Sequence, residues 1–334
     1  MMRAAYYERQ GSAQEVLTVA ELPDPEPGAG EVRVRMMVSG INPSDIKTRT
    51  GFGGKAMPFP LIVPHQDGAG FIDAVGPGVP ETRVGERVWI YMAQWGRAFG
   101  TAAEFVVVPS VQAIGLADNI SFEIGASLGV PAMTAHRCLF ADGDLRGKRV
   151  LVQGGAGAVG NAAILLAKWA GAWVAATVSR EEQAEVARAA GADLVLNRHK
   201  DDIAQAVRSA TGGHGVDRIV DVDISANIDA AISCLARDGI VSAYSTESPQ
   251  AKLAIPFFPA LLGGFSFRFV YVYTMPEAAM RQAADEVSAC AASGAYAPKI
   301  AKTYSLEAVT DAHELQESGK AVGKILVRLA DQRR

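Results

Sequence analysis

The sequence predicts an α/β protein in which a doubly wound, Rossmann-type parallel sheet is joined to a smaller, mostly antiparallel β domain. Three observations support this prediction. The chain has 334 residues, a length that favours two domains over one or three. Its first third consists of short strand-like segments separated by Gly and Pro. From about Phe122 onward, short apolar strands alternate with helical segments, which is the rhythm of a parallel sheet covered by helices.

The strand-like segments of the first third alternate polar and apolar residues, as half-buried strands do. They are residues 31–39, 69–75, 86–91 and 103–109. Turn sequences such as Gly76-Pro77-Gly78 separate them. This pattern predicts a small, barrel-like, mostly antiparallel domain.

The middle of the chain supplies the parallel sheet. Its predicted strands are 149–153, 173–178, 194–196, 218–221 and 240–243, and its predicted helices are 158–170, 181–190, 201–210 and 226–235. The rhythm ends near Gly264, and an aromatic strand, a helix and a last strand follow it (265–273, 276–293 and 323–329). Since the parallel sheet already looks complete, we expect this tail to rejoin the first domain. The expected domains are therefore residues 1–124 with 265–334, and residues 125–264.

The composition argues against several classes of partner. The formal net charge is -4, whereas nucleic-acid binding usually requires a basic face. No polybasic segment marks a membrane surface, and Lys168, Pro256 and Arg268 interrupt the apolar stretches that could be tested as membrane spans. The three cysteines are far apart, which argues against a disulfide framework or a structural zinc site. We expect a cytoplasmic protein without a signal peptide.

A glycine-rich loop is the strongest motif in the chain. Gly155, Gly157 and Gly160, with Ala158 and Val159 between the last two, form a complete GxGxxG that follows a predicted strand and opens a helix. In such a loop the first glycine allows a tight turn, the second lets a pyrophosphate approach the backbone, and the third lets the helix pack closely on the sheet. The helix N-terminus then offers N–H groups and a partial positive charge to the phosphates. The motif predicts a dinucleotide cofactor.

The residues beyond the motif favour NADPH over NADH. An NAD site usually places Asp or Glu about 20 residues past the motif, on the ribose 2′-hydroxyl. This chain has Ser179 and Arg180 there, and Arg198 after the next strand could reach the same 2′-phosphate. The alternative is that both arginines are merely solvated, and Glu181 lies close by. Ser245 follows the last strand of the sheet and is a further candidate for cofactor contact.

Five segments, in order along the chain, resemble the medium-chain dehydrogenase/reductase superfamily and, within it, the zinc-free zeta-crystallin-like quinone oxidoreductases. The segments are 40–45 (GINPSD), 64–70 (PHQDGAG), 75–88 (beginning VG and ending VGERV), 131–135 (PAMTA) and 319–326 (GKAVGKIL). The resemblance covers essentially the whole chain. It implies a GroES-like N-terminal domain, a Rossmann domain, an active-site cleft between them, and a homodimer in which a strand from the aromatic region pairs across a two-fold axis.

The resemblance also assigns candidate catalytic residues. Asn42 is similar to the family residue near the nicotinamide ribose and substrate, and its amide could donate to a developing oxyanion. Thr134 resembles the residue that contacts the nicotinamide. Asp45 and Lys47 lie beside Asn42. Lys47 stands where the family often has Tyr, so contact with phosphate, donation to the acceptor and simple solvation all remain open for it.

The matching segments place Asn42, Gln66 and Val130 where zinc-dependent relatives hold catalytic zinc with Cys, His and Cys. None of the three is a thiolate or an imidazole, so no metal is expected. Without a Lewis acid to stabilise an alkoxide, alcohol oxidation is disfavoured, whereas an electrophilic quinone or enone can still accept hydride.

We therefore expect an NADPH-dependent reductase of a small-molecule quinone. The alternatives are an enone, 2-alkenal or enoyl-thioester reductase of the same fold, or a non-catalytic NADPH-binding protein. The sequence does not separate one-electron from two-electron reduction.

Overall fold

The computed structural model describes residues 1–246 and 248–329. Its strands are β1 (Met2–Tyr6), β2 (Thr18–Leu22), β3 (Glu31–Ile41), β4 (Asp67–Val75), β5 (Arg87–Ile90), β6 (Phe105–Pro109), β7 (Ala113–Gly115), β8 (Arg149–Val152), β9 (Trp173–Val178), β10 (Leu194–Asn197), β11 (Val216–Asp221), β12 (Leu235–Ala243), β13 (Ser266–Phe269), β14 (Ile300–Ser305) and β15 (Lys324–Arg328). Its α-helices are α1 (Ala13–Val16), α2 (Pro43–Thr50), α3 (Phe122–Gly125), α4 (Met133–Phe140), α5 (Ala158–Trp169), α6 (Glu181–Ala189), α7 (Ile203–Ala210), α8 (Ile224–Cys234), α9 (Phe257–Gly263), α10 (Glu277–Ala292) and α11 (Val309–Glu317).

The chain forms two compact units. Unit 1 comprises Met1–Pro131 and the chain from Ile300 onward, and unit 2 comprises Ala132–Lys299. These boundaries differ from the expected ones, which would have returned the chain to the first domain at residue 265. The reason is that β13 pairs in parallel with β12, in the register Ile240↔Ser266 to Ala243↔Phe269, and so completes the sheet of unit 2.

Unit 1 contains a seven-stranded sheet in the order β14-β15-β3-β4-β5-β7, with β6 also paired to β3. All of these pairs are antiparallel except β14 with β15. Of the tail expected to rejoin the first domain, only the part from Ile300 returns to unit 1, where β15 pairs with β3 in the register Ile325↔Ile41 to Arg328↔Val38. Strand β3 is the centre of the unit because β4, β6 and β15 all pair with it.

Unit 2 contains a six-stranded, fully parallel sheet in the order β10-β9-β8-β11-β12-β13. The strand order runs outward in both directions from β8, as expected for a doubly wound sheet. Apolar side chains of β8, β9, β11 and α8 are buried together in its core. The predicted combination of a Rossmann-type sheet with a separate antiparallel domain is thus confirmed.

Two further features bear on the sequence predictions. None of the helices in the described part of the chain combines the length and hydrophobicity needed to span a bilayer. The three cysteines, Cys138, Cys234 and Cys290, are buried free thiols.

Candidate active site

The glycine-rich loop joins β8 to α5 at the carboxyl edge of the parallel sheet. The turn itself is made by Gly154, whose φ is +77°, a conformation that favours glycine. Gly155 lies in the same turn, but the positive φ falls one position before the motif. Gly155 is needed for packing, because a Cβ there would lie 2.9 Å from Ala176 Cβ and 3.0 Å from Ile164 Cδ1.

The other two glycines of the motif differ in what surrounds them. A Cβ on Gly160 would lie only 2.1 Å from the carbonyl oxygen of Gly154, so the close packing of α5 on the loop requires glycine there. A Cβ on Gly157 would meet only Gly154 O, at an ordinary 3.6 Å. The fold itself therefore tolerates a side chain at Gly157, and the space beside its backbone is open for a ligand.

The loop is held rigidly by the neighbouring strand. Gly154 N donates to Thr177 Oγ1 (3.1 Å), Gly155 N donates to Thr177 O (3.0 Å), and Thr177 Oγ1 donates to Gln153 Oε1 (2.7 Å). The first bond within α5 runs from Asn161 N to Gly157 O, which leaves the earlier N–H groups of the helix, including those of Ala158 and Val159, without intrahelical acceptors. Such a fixed loop at a helix N-terminus fits the pyrophosphate of a dinucleotide.

The remaining residues predicted to contact the cofactor lie at the same edge of the sheet. Ser179 and Arg180 directly follow β9, Arg198 follows β10, and Ser245 follows β12. Arg198 N donates to Val178 O (2.9 Å), so it sits beside the end of β9. The side chains of Arg180 and Arg198 are exposed. The structure thus gathers these four residues around the carboxyl ends of parallel strands that include β8, where the glycine loop begins.

In unit 1, Asn42 belongs to a buried polar cluster at the start of α2. Asn42 Nδ2 donates to Asp67 Oδ2 (2.7 Å), and Lys324 Nζ donates both to Asn42 Oδ1 (2.7 Å) and to Asp67 Oδ2 (2.9 Å). Asn42, Asp67 and Lys324 are 2%, 0% and 2% exposed. The ammonium and the carboxylate neutralise each other, which is what allows two full charges to be buried.

Two glycines make room for this cluster. A Cβ on Gly129 would lie 2.2 Å from Asp67 Oδ1, the oxygen that accepts from Val130 N (2.8 Å). A Cβ on Gly40 would lie 2.8 Å from Lys324 Cε. The chain therefore passes close to both charged groups and satisfies them with backbone as well as side-chain donors.

A second buried polar chain leads toward the same carboxylate residue. Arg49, which pairs with Glu317, donates through Nε to His313 Nδ1 (3.3 Å), so the hydrogen of His313 is on Nε2. His313 Nε2 then donates to His65 Nε2 (2.9 Å), which places the hydrogen of His65 on Nδ1, facing Ser39 Oγ at 2.8 Å. The bonding partners thus fix both tautomers.

The chain ends on the backbone of β4. Ser39 Oγ receives a hydrogen from His65 and donates to Thr101 Oγ1 (2.6 Å), which donates to the carbonyl oxygen of Asp67 (2.6 Å). Every bond therefore points in one direction, from the guanidinium of Arg49 to Asp67. Burial, and the nearby positive charge of Arg49, lower the pKa of His313 to about 3, and burial lowers that of His65 well below its ordinary value.

The other predicted catalytic residues are in different settings. Asp45 Oδ2 accepts from Asn42 N (2.7 Å), and among the described residues its Oδ1 has no partner. Burial, with the nearby charge of Asp67, raises the pKa of Asp45 to about 8. Lys47 is half-buried with Nζ 4.8 Å from the centre of the Phe52 ring, and burial lowers its pKa. Thr134 is on α4 in unit 2 and is 5% exposed.

The three positions where relatives hold zinc do not form a zinc-ligand set. The carboxamide of Asn42 is bonded to an ammonium and a carboxylate. Gln66 donates to Gln94 Oε1 (3.1 Å) and accepts from Gln94 N (3.2 Å). Val130 has no donor atom in its side chain, and both ring nitrogens of the neighbouring His65 are hydrogen-bonded. Among the residues described, no three His, Cys, Asp or Glu side chains are grouped to hold a metal ion.

Asp67, Lys324 and Thr177 were not predicted as functional residues from the sequence. A signal existed for Lys324, since it begins the apolar run KILVRL, where a lone charge at a buried position needs a partner. Nothing local identified Asp67 as that partner, because 257 positions separate the two residues.

These two units define a class of protein: a nicotinamide-dinucleotide oxidoreductase built from a Rossmann sheet and a separate antiparallel domain. Two known families match the chain accordingly. The "Alcohol dehydrogenase GroES-like domain" family matches residues 28–118, and the "Zinc-binding dehydrogenase" family matches residues 158–289. Together the two matches place the chain in the medium-chain dehydrogenase/reductase superfamily, and quinone oxidoreductases are among its relatives.

Individual relatives agree with this placement. The chain is 28% identical over 331 residues to a quinone oxidoreductase of Lama guanicoe, covering 98% of each chain. It is 29% identical over 318 residues to a 2-haloacrylate reductase of a Burkholderia species, covering 90% of this chain and 91% of the relative.

Two solved structures are similar along the whole chain. A mycobacterial protein solved in complex with NADPH superposes with a TM-score of 0.82 at 28% identity, covering 98% of this chain and all of that one. An NAD-dependent alcohol dehydrogenase superposes with a TM-score of 0.85 at 29% identity, with the same coverage.

Proposed function

We propose that the protein is a zinc-independent, NADPH-dependent reductase that transfers a hydride to a quinone. The observation that carries the proposal is the pairing of two features in one chain. One is a dinucleotide loop with open space at Gly157. The other is the set of zinc positions, in which Asn42 and Gln66 are bonded to neighbouring side chains and Val130 offers no ligand atom. Hydride chemistry without a Lewis acid suits an acceptor that is already electrophilic.

The cofactor preference rests on the edge of the sheet beyond β9. NADPH, when bound, supplies the hydride from its nicotinamide. Arg180 and Arg198 offer guanidinium groups to the 2′-phosphate, and Ser179 offers a hydroxyl. The neighbouring carboxylate of Glu181 forms an ion pair with Arg188, whose Nη1 lies 2.6 Å from Glu181 Oε1. This ion pair reduces the repulsion that Glu181 would exert on a phosphate. Similar structures include both a protein solved with NADPH and an NAD-dependent enzyme, so the proposed preference rests on these side chains.

On the acceptor side, the carboxamide of Asn42 supplies a hydrogen-bond donor for the oxygen on which negative charge develops. Thr134 contacts the nicotinamide, and Lys47 provides a cation near the acceptor. Asp45 keeps the first turn of α2 in place through its bond to Asn42 N. In this proposal the protein mainly orients the two reactants, which is where most of its rate enhancement arises.

One observation favours a second function. The similarity to a 2-haloacrylate reductase extends over 90% of the chain, and the acrylate named there is an electron-poor double bond. Reduction of the carbon–carbon double bond of an enone, a 2-alkenal or an enoyl thioester is therefore the alternative.

The test is NADPH oxidation followed in parallel with 1,4-benzoquinone, a 2-alkenal and a crotonyl thioester. Cofactor deuterated at the transferred position adds a second readout. A reduced double bond retains deuterium on carbon, whereas a hydroquinone loses to water any deuterium delivered to oxygen. We expect turnover with the quinone and no retained label. Turnover with the alkenal or thioester alone would establish the alternative. Tight NADPH binding without turnover of any acceptor would indicate a binding protein.

For the assembly, the proposal is a homodimer formed through β13 and α9. Strand β13 lies at the edge of the sheet of unit 2, so one side of its backbone is unpaired within that sheet. Phe269 on this strand is 67% exposed, and Phe257, Phe258 and Leu262 on α9 are 69%, 69% and 70% exposed. An edge strand next to exposed apolar side chains invites pairing with a second copy. The double variant Phe269→Asp with Phe258→Asp should be monomeric by light scattering. A dimer that persists in this variant would exclude this surface as the dimer interface. Trp169→Asp, an exposed aromatic on α5, is the matched control.

We also propose the cytoplasm as the location, since three buried free thiols suit a reducing compartment.

A further inference from the structure

We infer that Lys324 and Asp67 are positioning residues for the reaction, which fix and polarise the carboxamide of Asn42. The inference deepens the proposed function, in which Asn42 donates a hydrogen bond to the acceptor. Neither residue has an evident structural need to be charged, because each is at most 2% exposed and an uncharged pair of similar volume could fill the same space.

The contacts determine which way the carboxamide faces. Asn42 Oδ1 lies 2.7 Å from the Lys324 ammonium, and Asn42 Nδ2 lies 2.7 Å from Asp67 Oδ2. The flipped amide would place its N–H groups against the ammonium and its oxygen against the carboxylate, so the charges exclude that orientation. One Nδ2 hydrogen is committed to Asp67. The other hydrogen on the same nitrogen is the one that remains for a ligand.

The same contacts strengthen the remaining donor. An ammonium bonded to an amide oxygen draws electron density toward that oxygen and makes the N–H groups more acidic. Lys324 therefore acts on the acceptor through Asn42. Burial increases the effect, because the low dielectric inside unit 1 weakens the interaction between charges less than water would.

Asp67 is itself held from three directions. Its Oδ1 accepts from Val130 N (2.8 Å), its Oδ2 accepts from Lys324 and Asn42, and its carbonyl oxygen accepts from Thr101 Oγ1 (2.6 Å). The carboxylate consequently cannot rotate to follow a displaced amide. This rigidity is what a positioning role requires.

The experiment removes the charges of Lys324 and Asp67 together and tests whether the resulting change in kcat depends on Asn42. Lys324→Met combined with Asp67→Asn avoids leaving one buried charge without its partner. This pair variant, Asn42→Ala and the triple variant are compared with the unaltered protein. Lys302→Met, an exposed lysine on the neighbouring strand β14, is the matched control. The readouts are kcat and KM for 1,4-benzoquinone, NADPH affinity by fluorescence titration, and thermal unfolding as a check of folding.

We expect Asn42→Ala to lower kcat on the order of 100-fold. The pair variant should lower kcat roughly tenfold and leave NADPH affinity unchanged. In the Asn42→Ala background the pair substitution should cause no further loss, because the residue it acts through is gone. An unchanged kcat in the pair variant, or an equal loss in both backgrounds, would overturn the inference.

A readout without catalysis separates this inference from the proposed function. The side-chain amide signals of Asn42 are assigned in NMR spectra of the ligand-free protein by their absence in Asn42→Ala. The pair substitution should shift the Nδ2 resonance upfield and speed exchange of its protected hydrogen. Unchanged signals would contradict the inference even in an active enzyme. Shifted signals in a protein that reduces no acceptor would contradict only the proposed function.

Discussion

Acidification below pH 6.5 is expected to destabilise unit 1 through the two histidines of the buried chain that ends on Asp67. His65 and His313 are fully buried, and each ring is held as a neutral tautomer by the bonds on both sides of it. The perturbation is a pH series combined with His313→Gln, which keeps one donor and one acceptor but does not titrate.

The direction and size of the stability change follow from the pKa of His313, which burial and the charge of Arg49 lower from 6.5 to about 3. As the pH falls below 6.5, the unfolded chain takes up a proton that the folded chain refuses, so the free energy of unfolding decreases. Each such group contributes a slope of about 1.4 kcal/mol per pH unit. Between pH 6 and pH 4.5, His313 alone therefore removes about 2 kcal/mol of stability, and this contribution is absent above pH 7.

The assay is denaturant unfolding of the wild-type protein and of His313→Gln from pH 8 to pH 4.5, followed by tryptophan fluorescence, to which the buried Trp89 of unit 1 contributes. The difference in free energy between the two proteins should be constant from pH 7 to pH 8. Below pH 6.5 the variant should lose stability less steeply, by about one proton's slope. Parallel curves for the two proteins below pH 6 would refute the neutral, buried histidine pair.

Three further predictions concern the glycine loop, Arg180 after β9, and the acidic residue of α2. Gly157→Ala should fold with unchanged stability but lose NADPH affinity at least tenfold, roughly 1.4 kcal/mol. Gly160→Ala should instead lower the unfolding temperature, because its Cβ would lie 2.1 Å from Gly154 O. Equal stability of the two variants by calorimetry would contradict this difference. Arg180→Ala should weaken NADPH binding far more than NADH binding by titration calorimetry, and equal weakening would exclude its 2′-phosphate role. Burial raises the pKa of Asp45 to about 8, so its protonated form should stabilise the folded protein at acid pH, and this stability is lost as the pH rises toward 8. Asp45→Asn should therefore make the free energy of unfolding depend less steeply on pH between pH 5 and pH 8. An unchanged pH dependence would refute the raised pKa.

The sequence predicted the elements of unit 2 well because their signals are local. Strand β9 was placed at 173–178, as observed, and α5 differs from its prediction by a single residue at the C-terminus. Residues 265–299 were assigned to the wrong domain, since nothing local shows that β13 pairs with β12. An edge strand and a strand of another sheet have the same alternating pattern, so only the pairing partner distinguishes them.

The candidate site was likewise predicted only where its sequence signals are local. The glycine motif marked the loop correctly, yet the residue with positive φ is Gly154, one position earlier than expected. The environment of Asn42 could not be read from the sequence, because Asp67 and Lys324 reach it from β4 and β15. Contacts between distant segments depend on strand register, which the sequence specifies only through the complete fold.

Zinc independence is tested most directly by the rate of 1,4-benzoquinone reduction by NADPH before and after exhaustive treatment with a chelator, with metal content measured on the same samples. We expect equal kcat/KM before and after treatment, and no gain on adding Zn²⁺. A rate that falls with chelation and returns with zinc would contradict the reading of Asn42, Gln66 and Val130 as a site without metal.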